Sequence, residues 1–216
     1  MNPHSSVKKL VLLAMLAAVA YLMVALIRIP VVLFLSYEPK DVVITIGGFL
    51  LGPMASFLIS LLVSLVEMVT FSSTGPIGAL MNLLSTCAFA CTAAFVYKKR
   101  HTMAGAIWGL GLGAAAMIAV MLLWNWLITP LYMGVSRQAV AGMLLPVFLP
   151  FNALKACLNS AFVLILYKPL VSALRKTGLL EQKTAKSGSA KVGVYLLAGA
   201  LLVSCVFLLL VLQGKL

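Results

Sequence analysis

Charge is what this 216-residue sequence lacks: 9% of its residues are Asp, Glu, Lys or Arg, and only four are acidic. An ordinary soluble domain carries about 25% charged residues, well beyond this share. A water-soluble globular enzyme and a disordered tail are therefore excluded. Cysteine is sparse too. Cys87, Cys91, Cys157 and Cys205 lie in apolar runs without C-x-x-C spacing, which excludes a disulfide-rich secreted module. Cys87 and Cys91 share a helix face at i, i+4 but have no His or carboxylate beside them, so small membrane-core residues are expected rather than a metal or redox site. The two histidines, His4 and His101, stand at the ends of apolar runs, where solvation is expected. No G-x-x-x-x-G-K-[ST] phosphate loop, no H-E-x-x-H and no Ser/His/Asp arrangement is present. The chain therefore carries no ATPase motif of that kind, no catalytic constellation, no metal site and no cofactor box. Paired broken helices in inverted repeats, expected of many ion-coupled carriers, are also not evident.

What is present is apolar length. Hydrophobic residues make up 63% of the chain and the mean hydropathy is +1.16. A soluble fold has no means of hiding that much apolar surface. An all-α integral membrane protein in the lipid bilayer follows. Sixteen Lys and Arg give a net charge of +12, which in a soluble protein suggests nucleic acid. In a membrane protein the same excess marks the cytoplasmic loops, and no nucleic-acid partner is expected.

A span needs roughly 20 apolar residues. Leu10–Ile27 is a first helix and not a cleaved signal peptide, since the run is long and lacks a cleavage site. A loop, "IPVVLFLSYEPKD", follows with two prolines and the densest acidic cluster. The long run from Val42 is interrupted at Gly47-Gly48 and Gly52-Pro53, so it divides near Pro53 into a short helix and a longer one. After a turn at Thr70–Gly78 come spans at Ala79–Tyr97, Met103–Ile128 and Leu144–Leu166, with a loop at Thr129–Gly142. Gly105, Gly109 and Gly113 form a small-residue stripe that admits a close neighbour. A basic linker over 179–191 precedes a last apolar run, Val192–Leu212.

With the division at Pro53 there are seven membrane segments and a cytoplasmic N-terminus. Lys8, Lys9, Lys98, Lys99, Arg100, Lys168, Arg175, Lys176, Lys183, Lys186 and Lys191 then lie inside, and Arg28 and Lys40 are among the cations outside. Undivided, an N-out arrangement scores equally well, because Lys8 and Lys9 trade places with Arg28 and Lys40. The glycine and proline breaks favour the division.

Polar residues inside spans cost on the order of a few kcal/mol unless they are paired or face a cavity. Lys155 is the outstanding case. In "PFNALKACLNS" it shares a helix face with Asn152 and Asn159, and Pro146 and Pro150 loosen the preceding backbone. Asn125, Asn82 and Glu67 add further polar groups. Two readings stand for Lys155: a structural ion pair with Glu67 or Asp41, or a ligand cavity. Asn82 and Asn159 serve equally as interhelical glue. Amides, one ammonium and nearby aromatics suit a flat, heteroatom-rich ligand. Trp124, Trp126, Tyr132, Tyr37 and Phe34 are either stacking surface or an interfacial belt.

"KKLVLLAMLAAVAYL", "FLSYEPKDVVITIGGFLLGPMA", "GPIGALMNLL", "LLWNWLITPLYMG" and "LPFNALKACLNS" occur in order over about residues 5–178. In these the chain resembles the substrate-binding S components of energy-coupling factor (ECF) vitamin transporters, most closely their riboflavin-specific branch. The resemblance implies a six-helix bundle with both termini cytoplasmic and a ligand cavity near the extracellular side, with riboflavin as ligand rather than cofactor. It maps ligand contacts onto Asn125, Asn152 and Lys155, and Tyr37, Asp41, Glu67 and Asn82 complete the expected binding set. The covering loop maps onto Leu33–Asp41, with Leu33, Phe34, Leu35, Ser36, Tyr37 and Glu38 as gate. Ala14 and Ala18 match an A-x-x-x-A pattern that docks on a transmembrane coupling subunit (T component), which works with two ATP-binding-cassette ATPases. The expected organisation is a binding domain over 1–178, the linker 179–191 and an additional C-terminal span in 192–216, which departs from the family pattern. The location implied is a bacterial cell membrane. The rival readings are an S component for another vitamin, a self-contained proton-coupled carrier titrating at Glu67, and a membrane enzyme using Lys155 or Glu67.

Overall fold

The chain divides at Gly52. There φ is +100°, a conformation that favours glycine, and Pro53 occupies the first position of the next helix, where its missing N–H is harmless. The long apolar run is thus two helices, α2 (Lys40–Leu51) and α3 (Pro53–Thr70). The computed structural model describes residues 3–70, 75–176 and 192–212. The linker 179–191 and residues 71–74 of the expected turn lie outside these.

Helix α1 covers Pro3–Leu26, and α4 (Gly75–Thr86) passes through one π-helical turn (Cys87–Cys91) into α5 (Thr92–Arg100). This segment starts earlier than expected: Gly75–Gly78 is the first turn of α4 rather than loop. Helix α6 (Met103–Met133) continues through Pro130 and stops at Gly134, where φ is +66°. The expected loop Thr129–Gly142 therefore shrinks, and Arg137–Met143 is a helix, α7, capped by the Ser136 hydroxyl, which accepts from the Ala139 N–H. A π-helical turn, Leu144–Phe148, carries Pro146 and leads into α8 (Leu149–Lys176). Helix α9 (Val192–Leu212) closes the described chain.

Six helical segments among the described residues have the length and hydropathy to cross a membrane, so this is a multi-pass membrane protein. Helix α2 is not one of them. Its 12 residues reach only about 18 Å, so it is the short member of the run divided at Pro53. It is an interior element, buried from Lys40 to Phe49.

Two close approaches set the bundle's centre. A Cβ on Gly113 would lie 2.5 Å from the Phe89 carbonyl oxygen, and one on Gly109 2.7 Å from that of Ala93. The glycine stripe of α6 is thus the seat for the π turn and α5. Phe89, Ala93, Leu110 and Met117 are fully enclosed around it.

The loop after α1 is a small antiparallel hairpin, β1 (Ile29–Val32) and β2 (Leu35–Tyr37), with Ile29 opposite Tyr37 and Val32 opposite Leu35. The sequence gives no strand signal there beyond four β-branched or aromatic residues between prolines. Leu33 turns the hairpin with φ of +50°. Val31, Leu35 and Tyr37 pack on Phe148, Phe151, Leu154 and Leu158, and on Cys205 of α9. Helix α9 lies along α8 and reaches β1.

Candidate functional site

Three of the four acidic residues, Glu38, Asp41 and Glu67, converge on one buried polar centre. Glu38 follows β2, Asp41 lies in the first turn of α2, and Glu67 lies in the last turn of α3. All are at most 4% exposed. Buried carboxylates need partners, and the partners are Arg28, Lys40 and Lys155, so the six charges balance.

The centre has two arms. In one, Lys155 Nζ lies 3.2 Å from Asp41 Oδ2. The Thr86 hydroxyl donates to Asp41 Oδ1 at 2.6 Å, and Asn159 Nδ2 donates to Oδ2 at 3.2 Å. Asn159 in turn accepts from the Tyr37 hydroxyl at 3.1 Å, tying the hairpin to α8. In the other arm, Lys40 Nζ lies 2.9 Å from Glu38 Oε2 and also bonds Glu67 Oε2. Arg28 Nε lies 3.2 Å from Glu38 Oε1, and Asn82 Nδ2 donates to Glu67 Oε1 at 3.1 Å. Burial pushes the Glu38 carboxyl up, but Lys40, Lys155 and Arg28 outweigh it and hold the group below its ordinary value.

A cavity opens between the arms. Its wall includes Phe34, Leu35, Ser36 and Glu38 of the hairpin segment, Glu67, Asn82, Met81 and Ser85 of α3 and α4, and Met121, Phe151, Asn152 and Lys155 of α6 and α8. Charged and amide groups thus stand beside two thioethers and two phenyl rings, which suits a flat ligand with a polar edge. Phe34 is itself held edge-on to Tyr132, with ring centroids 5.0 Å apart.

Of the residues singled out from sequence, Asn152, Lys155, Glu67 and Asn82 reach the cavity wall together with Phe34, Leu35, Ser36 and Glu38. Leu33 is exposed at the hairpin tip. Tyr37 and Asp41 stand behind the wall, where they fix Asn159 and Lys155. Asn125 is wholly buried and spent within its own helix: Nδ2 donates to the Met121 carbonyl at 2.7 Å, and Oδ1 accepts from Thr129 at 2.8 Å. Met121, one turn earlier, holds the place on the wall. Asn152 also donates to a backbone carbonyl, that of Phe148, at 2.7 Å. Ala14 and Ala18 lie together on the exposed face of α1, while Ala17 and Ala20 face inward.

Lys40 corrects the sequence reading. Taken there as an outer-loop cation, it is 1% exposed and lies at the heart of the polar centre. A signal was available: Lys40 sits between the two acidic residues of "YEPKD" in a chain with four acids. Thr86 and Arg28 were not singled out as site residues either; a threonine in an apolar helix carries no mark of its own.

Residues 8–167 match the family model described as "ECF transporter, substrate-specific component". The chain is 28% identical over 178 residues to the riboflavin transporter RibU of Staphylococcus aureus (strain TCH60), a match covering 78% of this chain and 93% of that one. It is 27% identical over 184 residues to the riboflavin transporter FmnP of Bacillus subtilis (strain 168), covering 78% and 96%. Among solved structures it is similar to the S component of a bacterial ECF transporter, with a TM-score of 0.67 at 27% identity over 79% of this chain and 99% of that one. The bundle, the polar cavity and the match across most of the sequence agree, and the chain belongs to the family of ECF transporter substrate-specific components.

Proposed function

We propose that this protein is the high-affinity riboflavin-binding subunit of an ECF-type importer in a bacterial cell membrane. The observation that carries the reading is the cavity itself: Asn152 and Lys155 of α8 meet Asn82, Glu67 and the hairpin residues Phe34 and Ser36 around one space. Asn152, Lys155 and Asn125 match the ligand-contacting positions of the riboflavin branch, and two relatives carry riboflavin in their names.

In this reading the isoalloxazine ring lies among Met81, Met121, Phe151 and Phe34, which exclude water from both faces. Asn152 and Asn82 offer amide donors and acceptors to its carbonyl and imide edge. Lys155 retains N–H donors beyond the one directed at Asp41, and Glu67 accepts from hydroxyls of the ribityl chain. A ligand without matching groups leaves buried polar atoms unpaired at about 1–3 kcal/mol each, which is the source of selectivity. The hairpin covers the cavity, and ligand enters and leaves by its displacement.

Uptake then requires an energy source outside this chain: a T component docked on α1 at Ala14 and Ala18, with two ATPase subunits. With α2 and α3 counted as two passes, a cytoplasmic N-terminus places Lys98, Lys99 and Arg100 inside and the hairpin outside. Residues 1–178 form the binding domain and 192–216 an addition joined by the linker 179–191. A proton-coupled carrier built on Glu67 is less well supported, because that carboxylate is already engaged by Lys40 and Asn82.

The test is titration of purified protein with riboflavin. Saturable quenching of flavin fluorescence at one site per chain is expected. Its absence, with binding of another vitamin instead, would refute the riboflavin assignment. Uptake by the chain alone in vesicles, driven by a pH gradient, would favour the carrier.

A further inference from the structure

Lys40 has no contact with the cavity, yet it touches two residues that line it. Its ammonium bridges Glu38, at the end of the hairpin, and Glu67, on α3. The position is a poor one for a cation on other grounds. Lys40 opens α2 directly after Pro39, and a helix N-terminus repels positive charge. Burial of an unpaired ammonium costs several kcal/mol more. Only the two carboxylates make the site tolerable, so the bridge is what the lysine is there to form.

We propose that Lys40 is a gate-positioning residue: it latches the hairpin to the bundle through Glu38–Lys40–Glu67 and so sets how fast bound ligand is released. The inference rests on the riboflavin reading for the ligand but not for the latch. The two ends of the bridge differ in stiffness. Glu67 belongs to α3 and is further held by Asn82 of α4. Glu38 belongs to a hairpin with only a few paired residues, and its remaining charged contact, Arg28, is on the same segment and 43% exposed at its side chain. Arg28 therefore ties Glu38 to its own neighbourhood, whereas Lys40 ties it to the bundle. With Lys40 neutral, Glu38 and Glu67 face each other as like charges, and the hairpin is the part free to yield. The Tyr37–Asn159 bond, one residue before Glu38, remains, so the gate loosens rather than detaches.

The test uses the full chain and the variants Lys40→Met, Lys40→Arg, Glu38→Gln and the double variant Lys40→Met/Glu38→Gln. Two readouts are taken: hydrogen exchange over residues 29–38 without ligand, and the rate of riboflavin release after dilution into a competitor. Lys40→Met is expected to speed both by about tenfold or more, the usual scale for truncating one partner of a buried pair, with Lys40→Arg restoring most of the loss. Because one bridge is at stake, the double variant should release ligand no faster than Lys40→Met alone. A merely structural lysine would raise exchange throughout α2 and α3 and leave the two substitutions additive. Unchanged hairpin exchange in a folded Lys40→Met protein would overturn the latch. Should that variant fail to fold, unchanged exchange and release in Glu38→Gln would overturn it equally. Failure of the wild-type protein to bind flavin would instead overturn the ligand assignment and leave the exchange measurement to decide the latch.

Discussion

Lys155 and Asp41 form a buried ion pair, Nζ to Oδ2 at 3.2 Å, that joins α8 to the first turn of α2 across the bundle. The sequence offered an ion pair and a ligand contact as alternatives for Lys155, and the geometry makes them compatible. Asp41 also accepts from Thr86 of α4 and Asn159 of α8, so its charge is satisfied by three side chains on two helices. Lys155 has one carboxylate partner and a face on the cavity. Asp41 thus holds the lysine extended along the wall, ready to donate to a ligand without first losing rotamer freedom.

The pair should respond unequally to its two halves. Asp41→Asn leaves a buried lysine without its counterion and replaces the oxygen that accepts from Asn159 with an amide donor, and a loss of about 3 kcal/mol is expected. Lys155→Met leaves Asp41 with two hydrogen bonds and should destabilise by less than half as much. Its larger effect is on riboflavin, with affinity falling by about tenfold or more. Thermal unfolding in detergent and flavin titration of both variants check this, and equal destabilisation by the two would contradict it.

The glycine stripe gives a cleaner packing test. Gly113→Ala places a methyl group 2.5 Å from the Phe89 carbonyl oxygen, where backbone on both sides resists movement, and a loss of about 1–3 kcal/mol follows. Gly111, on the same helix, has nothing within 4 Å of the same added atom. Gly111→Ala should therefore be neutral or gain up to about 1 kcal/mol from helix propensity. Comparing the two melting temperatures removes any general effect of alanine in α6.

Much of this was legible in advance because membrane burial makes two signals loud. Apolar length located each long helix, and glycine with proline located the break at Gly52, since no other residues suit that backbone. Polar residues in lipid are costly, so Lys155, Asn152, Glu67 and Asn82 stood out against their surroundings. Lys40 did not, because it borders a loop, where a lysine is cheap to solvate and is read as a topology charge. Asn125 stood out for the same reason as Lys155, yet its side chain is engaged by Met121 and Thr129; pattern alone does not tell an amide that turns back on its own helix from one that faces a cavity. The hairpin was illegible as strand because its pairing is short and bulged, and its shape depends on packing against α8 rather than on local propensity.

Glu38 supplies a pH dependence. Its folded carboxyl is held below the ordinary 4.5, so it contributes stability that is fully present above that value and is lost as pH falls through the lower, folded one. The stability difference between the wild-type protein and Glu38→Gln should be constant from neutrality down to about pH 5 and shrink below the ordinary carboxylate range. Melting temperatures of the two proteins across that range read the difference directly. A gap that instead closes between pH 7 and 5 would mean that the carboxyl is raised on folding.

The outer face of α1 separates binding from transport. Ala14 and Ala18 are exposed one turn apart and touch neither the cavity nor the polar centre, whereas Leu12, Leu16, Ala17 and Ala20 on the opposite side are packed into the bundle. Enlarging the exposed pair has no core to disrupt, so Ala14→Leu/Ala18→Leu should leave folding and flavin affinity unchanged. Small residues at i, i+4 let a second helix approach closely, and the added side chains push it away by several ångströms, forfeiting most of the dispersion contact. If the T component docks there, the double variant binds riboflavin normally, no longer co-purifies with the coupling module, and supports no ATP-dependent uptake. A control substitution away from α1, Leu112→Ala, at an exposed position of α6, should keep both. Normal uptake by the double variant would move the docking surface off α1 while leaving the binding site untouched.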